Sequence, residues 1–290
     1  MRPAIATVLV GALALTAGTA LAVPIIESTA GAETIYYSDV EPYPAITSNE
    51  EQEESTQAGE RVGAAVPPIC PSGCEIDVGP NDPWYEGWGA IAEAQTDYGV
   101  NRARAFALFN DNYAGGEPRL DSNAGARSSW QDELTLLPLP PSSPGGDLEI
   151  VFHVDADWEN FGSFEFIATL SHSGGSFVVE DGAGPTGEED GSLDYSFSLI
   201  APYLPGVTYA LAAELIVWAG SGNESSLVDA FSTAQVTQTR LPPGGGLISA
   251  AGALDAYHVV PEPGSGALLA AGVAGLVRLA RRRAVARRPE

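Results

Sequence analysis

The 290-residue chain contains no lysine: its 13 basic residues are all arginine, set against 38 acidic residues for a formal net charge of −25. Six arginines and 36 acidic residues fall between Val23 and Val260, a net charge of −30 over that stretch. A surface this acidic repels nucleic acid and anionic membranes, which excludes a nucleic-acid partner; it favours solubility and cations. Histidine is scarce, and His153, His172 and His258 are far apart in the chain. There are two cysteines, Cys70 and Cys74, in the stretch Cys-Pro-Ser-Gly-Cys. In an oxidising compartment this close pair reads as a small-loop disulfide. A zinc site would need a second half, which the three histidines do not offer, and the spacing is not the C-x-x-C of redox chemistry.

Catalytic signatures are also missing. There is no phosphate loop, no dinucleotide fingerprint and no G-x-S-x-G elbow, so Ser171-His172-Ser173 reads as a turn and not as part of a hydrolase. Carboxylates are so abundant that a glycosidase pair can be assembled by free choice, which makes any such pair uninformative. A secreted hydrolase stands last among the readings, and the expectation is a protein that is not an enzyme.

What is present is concentrated at the two ends. Arg2, the apolar run Ile5–Leu15 and the small-residue site Ala20-Leu21-Ala22 form a secretory signal peptide over 1–22, for cleavage by signal peptidase. No lipobox cysteine follows it. At the other end stand Pro261, Glu262 and Pro263, then an apolar run from Gly264, then an arginine cluster that includes Arg278, Arg281, Arg282 and Arg283. The prolines bar helix through the motif and leave it extended. From Gly264 to Ala280 a helix would span roughly 25 Å, short of a hydrocarbon core of about 30 Å unless Arg278 snorkels or the bilayer thins. The arginines would stay on the cytoplasmic side and set the orientation.

This order of motif, apolar helix and arginine cluster at the chain end, paired with an export signal, resembles the PEP-CTERM sorting signal of Gram-negative bacteria. The resemblance implies recognition at Pro261-Glu262-Pro263 by the membrane protease exosortase, an inner-membrane stage through the C-terminal helix, and final placement at the cell surface or in the extracellular matrix beside exopolysaccharide. Body segments such as Ser129–Leu136 and Asp229–Gln235 loosely resemble those of exported β-proteins carrying this signal. That likeness implies architecture and address, and no chemistry.

Between the signals, Val23–Val62 is polar and acidic, with the run Glu50, Glu51, Glu53 and Glu54, and reads as a disordered spacer over 23–62. The body then runs over 63–260. Trp84, Tyr85 and Trp88 read as an edge of the core, with an aromatic binding surface as the alternative. Period-2 alternation marks strands at Asn101–Phe109, Trp130–Leu137, Leu148–Val154, Ser163–Leu170, Phe177–Val179, Ser192–Ile200, Thr208–Trp218 and, less regularly, Ser226–Leu241. Tyr257–Val260 is either a last short strand or linker. Short strands with turn-rich breaks and no long helical period predict an all-β body, an antiparallel β-sandwich of jelly-roll or Ig-like type, flanked by the signal-peptide helix and a transmembrane helix.

One cofactor candidate emerges. Asp155, Asp157 and Glu159 are spaced two apart, and in a loop their oxygens would converge on Ca²⁺. The stretch departs from an EF-hand loop, with Asn160 at the glycine position and Phe166 at the glutamate position, and a solvated turn is the plainer reading. A second acidic stretch, Glu180–Gly191, is weighed in the same way. The expected role is structural or adhesive, in association with exopolysaccharide; the alternative is a Ca²⁺-assisted carbohydrate-binding module.

Overall fold

A computed structural model describes residues 24–38, 45–67, 89–108, 119–160, 162–183, 190–220 and 225–261. They form two seven-stranded sheets packed face to face. The strands are β1 (Ile25–Ser38), β2 (Ala45–Ser55), β3 (Arg61–Val66), β4 (Ala90–Asp97), β5 (Val100–Ala107), β6 (Arg119–Leu136), β7 (Asp147–Glu159), β8 (Ser163–His172), β9 (Gly175–Ala183), β10 (Gly191–Pro202), β11 (Thr208–Gly220), β12 (Ser226–Leu241), β13 (Leu247–Ser249) and β14 (Val259–Pro261). The first sheet has the order β2-β1-β6-β11-β8-β9, and β13 takes over beside β6 where β1 ends. The second has the order β10-β7-β12-β5-β4-β3, and β14 takes over beside β12 where β5 ends. The β12–β14 pair is parallel, and every other pairing is antiparallel. The all-β expectation holds as two antiparallel sheets in a sandwich-like body.

Alternation places the core. In β11, Tyr209, Leu211, Ala213, Leu215 and Val217 are buried, and the strand sits centrally between β6 and β8. Phe152 of β7, Phe166 of β8 and Phe197 of β10 meet with ring centroids 5.4–5.7 Å apart and join the two sheets. The irregular pattern of Ser226–Leu241 has a physical cause: β12 shifts register between Ala230 and Ala234 against β5, and again between Val236 and Gln238 against β7. Such bulges interrupt a period of two.

The spacer expected over 23–62 is corrected. Its residues form β1 and β2, and β1 lies beside β6 within the sheet, so the sandwich starts at Ile25 and not at Gly63. The inward side chains of β1 include Ser28, Ala30, Ala32 and Thr34, all buried. They are too small to produce visible hydrophobic alternation. The acidic run belongs to an edge strand and has structural work: the Glu51 and Glu53 carboxylates accept hydrogen bonds from the Ala65 and Gly63 amides of β3, at 2.9 and 3.1 Å. Two edges, one from each sheet, are thereby clasped together, and charged side chains on an edge also discourage pairing with foreign strands.

Among the described residues no helix is long and apolar enough to cross a membrane. The signal peptide, Cys70 and Cys74, the Trp84–Trp88 cluster, Glu262, Pro263, Arg278 and Arg281–Arg283 lie outside the described residues. Of the two readings left open for Tyr257–Val260, the structure has a short strand, but over Val259–Pro261; Tyr257 belongs to a 3-10 turn, Leu254–Tyr257.

Candidate functional site

A concentration of polar side chains that the core does not use lies on the outer face of the second sheet, across β10, β7 and β12. The loop expected at Asp155–Glu159 is corrected: these residues end β7. Two residues apart on a strand means one face, but about 6.7 Å of travel along it, so the three carboxylates stand in a row instead of converging. Asp194 lies opposite Asp155, and Asp229 opposite Asp157. Among the described residues, no three His, Cys, Asp or Glu side chains come together as a metal site.

This row has an electrostatic cost. Asp157 is pushed above the usual carboxylate range, first by burial and then by Asp155 and Asp229. Glu159 is pushed up in the same way by burial, then by Asp190 and Asp157. At the other end of β7 the sign reverses. Glu149 is held low, first by the Ser198 hydroxyl donating to it at 2.8 Å and then by Arg240 at 2.9 Å.

Between the two ends, His153 Nδ1 lies 3.3 Å from Ser196 Oγ, and its Nε2 lies 3.6 Å from Asp194 Oδ1. Gln235 is the register partner of His153 on β12. A serine, a histidine and an aspartate therefore meet, but on an open sheet with the Asp194 side chain 79% exposed. Among the described residues, no wall positions a substrate over Ser196. What the arrangement can do is offer hydroxyl, amide, imidazole and carboxylate groups in one plane, a surface suited to hydrogen-bonding a polyol.

Further across the same face, Arg61 and Arg104 flank the Phe231 ring, 4.7 and 4.9 Å from its centroid, and both pair with Glu93. These charges are compensated, unlike the carboxylate row. His172 sits in the β8–β9 turn as expected: its Nδ1 accepts from the Gly174 amide at 3.0 Å, and its ring packs on Tyr209. In the second acidic stretch, Glu180 and Asp181 belong to β9, and 184–189 lie outside the described residues.

Two buried polar groups escaped sequence reasoning. Asn101 of β5 accepts from Trp130 Nε1 at 2.9 Å and donates to the Ser128 carbonyl at 2.6 Å, which links the sheets. Asp132 of β6 is fully buried. Its signal was the strand phase itself: Trp130, Asp132, Leu134 and Leu136 share the inward set, so an acidic residue stood where the pattern demanded an apolar one.

No family model and no curated protein matches the chain. Among solved structures, the chain is similar to TmCBM61 in complex with β-1,4-galactotriose, at 14% identity and a TM-score of 0.20, over 49% of this chain and 84% of that one. It is also similar to the enzymatically active domain of bacteriophage CBA120 tailspike protein 4, at 14% identity and a TM-score of 0.19, over 51% of this chain and 18% of that one.

Proposed function

We propose that this chain is an exported envelope or matrix protein. Its signal peptide carries it out, an exosortase handles it at Pro261-Glu262-Pro263, and its sandwich serves a structural or adhesive role beside exopolysaccharide. The observation that carries this reading is continuity between body and tail. β14 ends at Pro261, the first residue of the motif, beside Leu241 of β12. The motif therefore begins on the last described strand, and in the sequence the apolar and arginine segments follow it as a separate address. We read β5–β12 as a jelly roll, since β5-β12-β7-β10 and β6-β11-β8-β9 reproduce its strand orders, with most consecutive strands alternating between sheets. That architecture hosts many functions, so it supports the body's class and not a ligand. We read the body as non-catalytic.

Replacement of Pro261 and Pro263 followed by cell fractionation tests the sorting part. Unprocessed protein should accumulate in the inner-membrane fraction; unchanged processing and location would sink it. The second reading, a Ca²⁺-assisted carbohydrate-binding module, is favoured by the polar outer face around His153, Ser196 and Asp155. Binding of the full chain to a polysaccharide panel, with Ca²⁺ and with chelator, separates the two. Chelator-sensitive binding lost in Asp155→Asn selects the module, whereas calcium-independent matrix binding selects adhesion without a metal.

A further inference from the structure

The fifteen residues from Leu247 to Pro261 form a strap across one end of the sandwich. The strap starts as β13 on β6 of one sheet and ends as β14 on β12 of the other. Each pairing is three residues long. Between them, the Asp132 carboxylate accepts from the Ser249 hydroxyl, from the Ala251 amide at 2.9 Å and from the Tyr257 hydroxyl at 2.8 Å. A fourth donor, the Glu133 amide at 2.7 Å, comes from its own strand. No arginine or histidine pairs with Asp132 among the described residues.

A buried charge without a counter-ion is tolerated only when donors replace its hydration. Here three of four donors belong to the strap. Undocking would return Asp132 to water, which would solvate it, so opening at this place costs less than exposing an apolar core of the same area. The rest of the contact includes the buried Leu247 and Tyr257 side chains, partial packing by Ala253 and Val259, and backbone bonds from the Ala250 amide to the Glu133 carbonyl at 2.9 Å and from the Thr239 amide to the His258 carbonyl at 3.3 Å. Tyr257 packs near Trp130 with ring centroids 5.9 Å apart, and Ala256 lies over Gly99. Gly99 has φ +76°, and a Cβ there would come within 2.9 Å of the Ala256 carbonyl oxygen. An open depression of about 540 Å³ lined by Gly246, Leu247, Leu254, Asp255 and His258 lies on the solvent side of the strap. His258 is held at φ +43°, an uncommon conformation outside glycine.

We infer that Leu247–Pro261 is a releasable strap latched by Asp132, and that the latch sets where the chain beyond Pro261 leaves the body. Docked, the chain departs from the end of β12. Released, it departs near Gly246, and fifteen extended residues add roughly 50 Å of reach. If the downstream segment is held at a membrane, which rests on the function proposed above, the latch governs how far the sandwich stands from that membrane. Release itself does not depend on that reading.

Native-state hydrogen exchange on the full chain tests the latch, comparing the parent with Tyr257→Phe and Asp132→Asn. Tyr257→Phe keeps the ring against Trp130 and removes one donor, so it remains informative if Asp132→Asn fails to fold. Peptides covering 247–258 should exchange roughly ten- to hundredfold faster in Tyr257→Phe, the effect of losing one hydrogen bond to a charged group, while peptides of β11 keep the parent rate. Equal acceleration of strap and β11 would make the strap part of the global folding unit and overturn the inference. Unchanged strap exchange would overturn it too. Both readouts are independent of sorting, so a failed fractionation experiment and a failed latch are distinguishable.

Discussion

The two halves of the sandwich keep their sheets together by different means. Where β1, β4, β5 and β6 face one another, the inward side chains are mostly alanine: Ala30, Ala92, Ala94, Ala103, Ala105 and Ala124 are each at most 2% exposed. Cα atoms of β4 come within 8 Å of β1 and β6, and those of β5 within 8 Å of β6 and β11. That is closer than the usual separation of about 10 Å between stacked sheets. In the other half Phe152, Phe166, Leu170 and Leu199 fill the gap, and approaches of this kind between β7 or β10 and the facing sheet are sparse. A methyl group contributes little burial energy of its own, but it lets backbones approach and brings short polar side chains within reach across the seam. There the Ser28 hydroxyl donates to Thr96 Oγ1 at 2.8 Å, and Ser128 Oγ lies 2.7 Å from the same atom. The phenylalanine half gains more apolar burial per residue, and the alanine half gains close approach and a hydrogen-bonded seam.

Truncation should separate the halves most widely. Phe166→Ala removes a fully buried ring from the three-ring cluster and should cost about 3–5 kcal/mol, because transfer loss and a cavity add together. A urea titration gives the shift. A loss below about 1 kcal/mol would mean that the half collapses onto the gap and that bulk does not hold its sheets apart.

Enlargement should have the opposite preference. Ala105→Leu adds three carbons where the sheets already lie close, and overpacking of this kind typically costs about 1–3 kcal/mol. Phe166→Leu in the other half should cost less than Phe166→Ala, since part of the volume is kept. If Ala105→Leu proved neutral, close packing would not be what fixes the seam, and the Thr96 and Asn101 hydrogen bonds would have to explain it alone.

The same division governed most of what could be read in advance, with β5 the exception because its inward alanines alternate with Arg102 and Arg104. Strands β7, β8, β10 and β11 carry large apolar groups every second residue, and period-2 alternation marked each of them. β1 and β4 have the same alternation in burial, but apart from Ile26 their inward residues are alanine, serine and threonine, so hydropathy barely oscillates. Alanine also favours helix over strand as a local preference; only the facing sheet makes Ala90-Ile91-Ala92-Glu93-Ala94 a strand. The first half of β6, through Asp121-Ser122-Asn123-Ala124-Gly125, was hidden for the same reason. At the outer face, the two-residue spacing of Asp155, Asp157 and Glu159 was visible, but its meaning depended on whether the backbone was loop or strand. The partners that decide its electrostatics, Asp194 and Asp229, come from strands far away in sequence. Asp132 was visible as an acid in an inward phase, and its donors could be known only from the fold.

The outer faces extend the comparison at the smallest scale. Over the alanine half, Arg61 and Arg104 share Glu93, whereas over the phenylalanine half Asp157 faces Asp229 across the ladder. Like charges opposite one another cost a few tenths of a kcal/mol at a surface, weakened further by solvent and salt. Asp157 has its folded pKa raised, first by burial and then by Asp155 and Asp229. The folded state therefore holds this proton more tightly than the unfolded chain. The resulting stability is complete below the unfolded value of about 3.9 and is lost as pH rises through the folded value. Asp157→Asn should accordingly be more stable than the parent at pH 7 by a few tenths of a kcal/mol, with the gap closing by about pH 3 and shrinking in high salt. Glu149 behaves in the opposite sense: its pKa is held low by Ser198 and Arg240, so its contribution is present above the unfolded value and is lost on acidification. A gap that persists at pH 3 would show that Asp157→Asn acts through packing and not charge. If Ca²⁺ stabilised the parent at neutral pH but left Asp157→Asn unchanged, the row of carboxylates would be a cation site after all, and the cost at this face would be a property of the empty form.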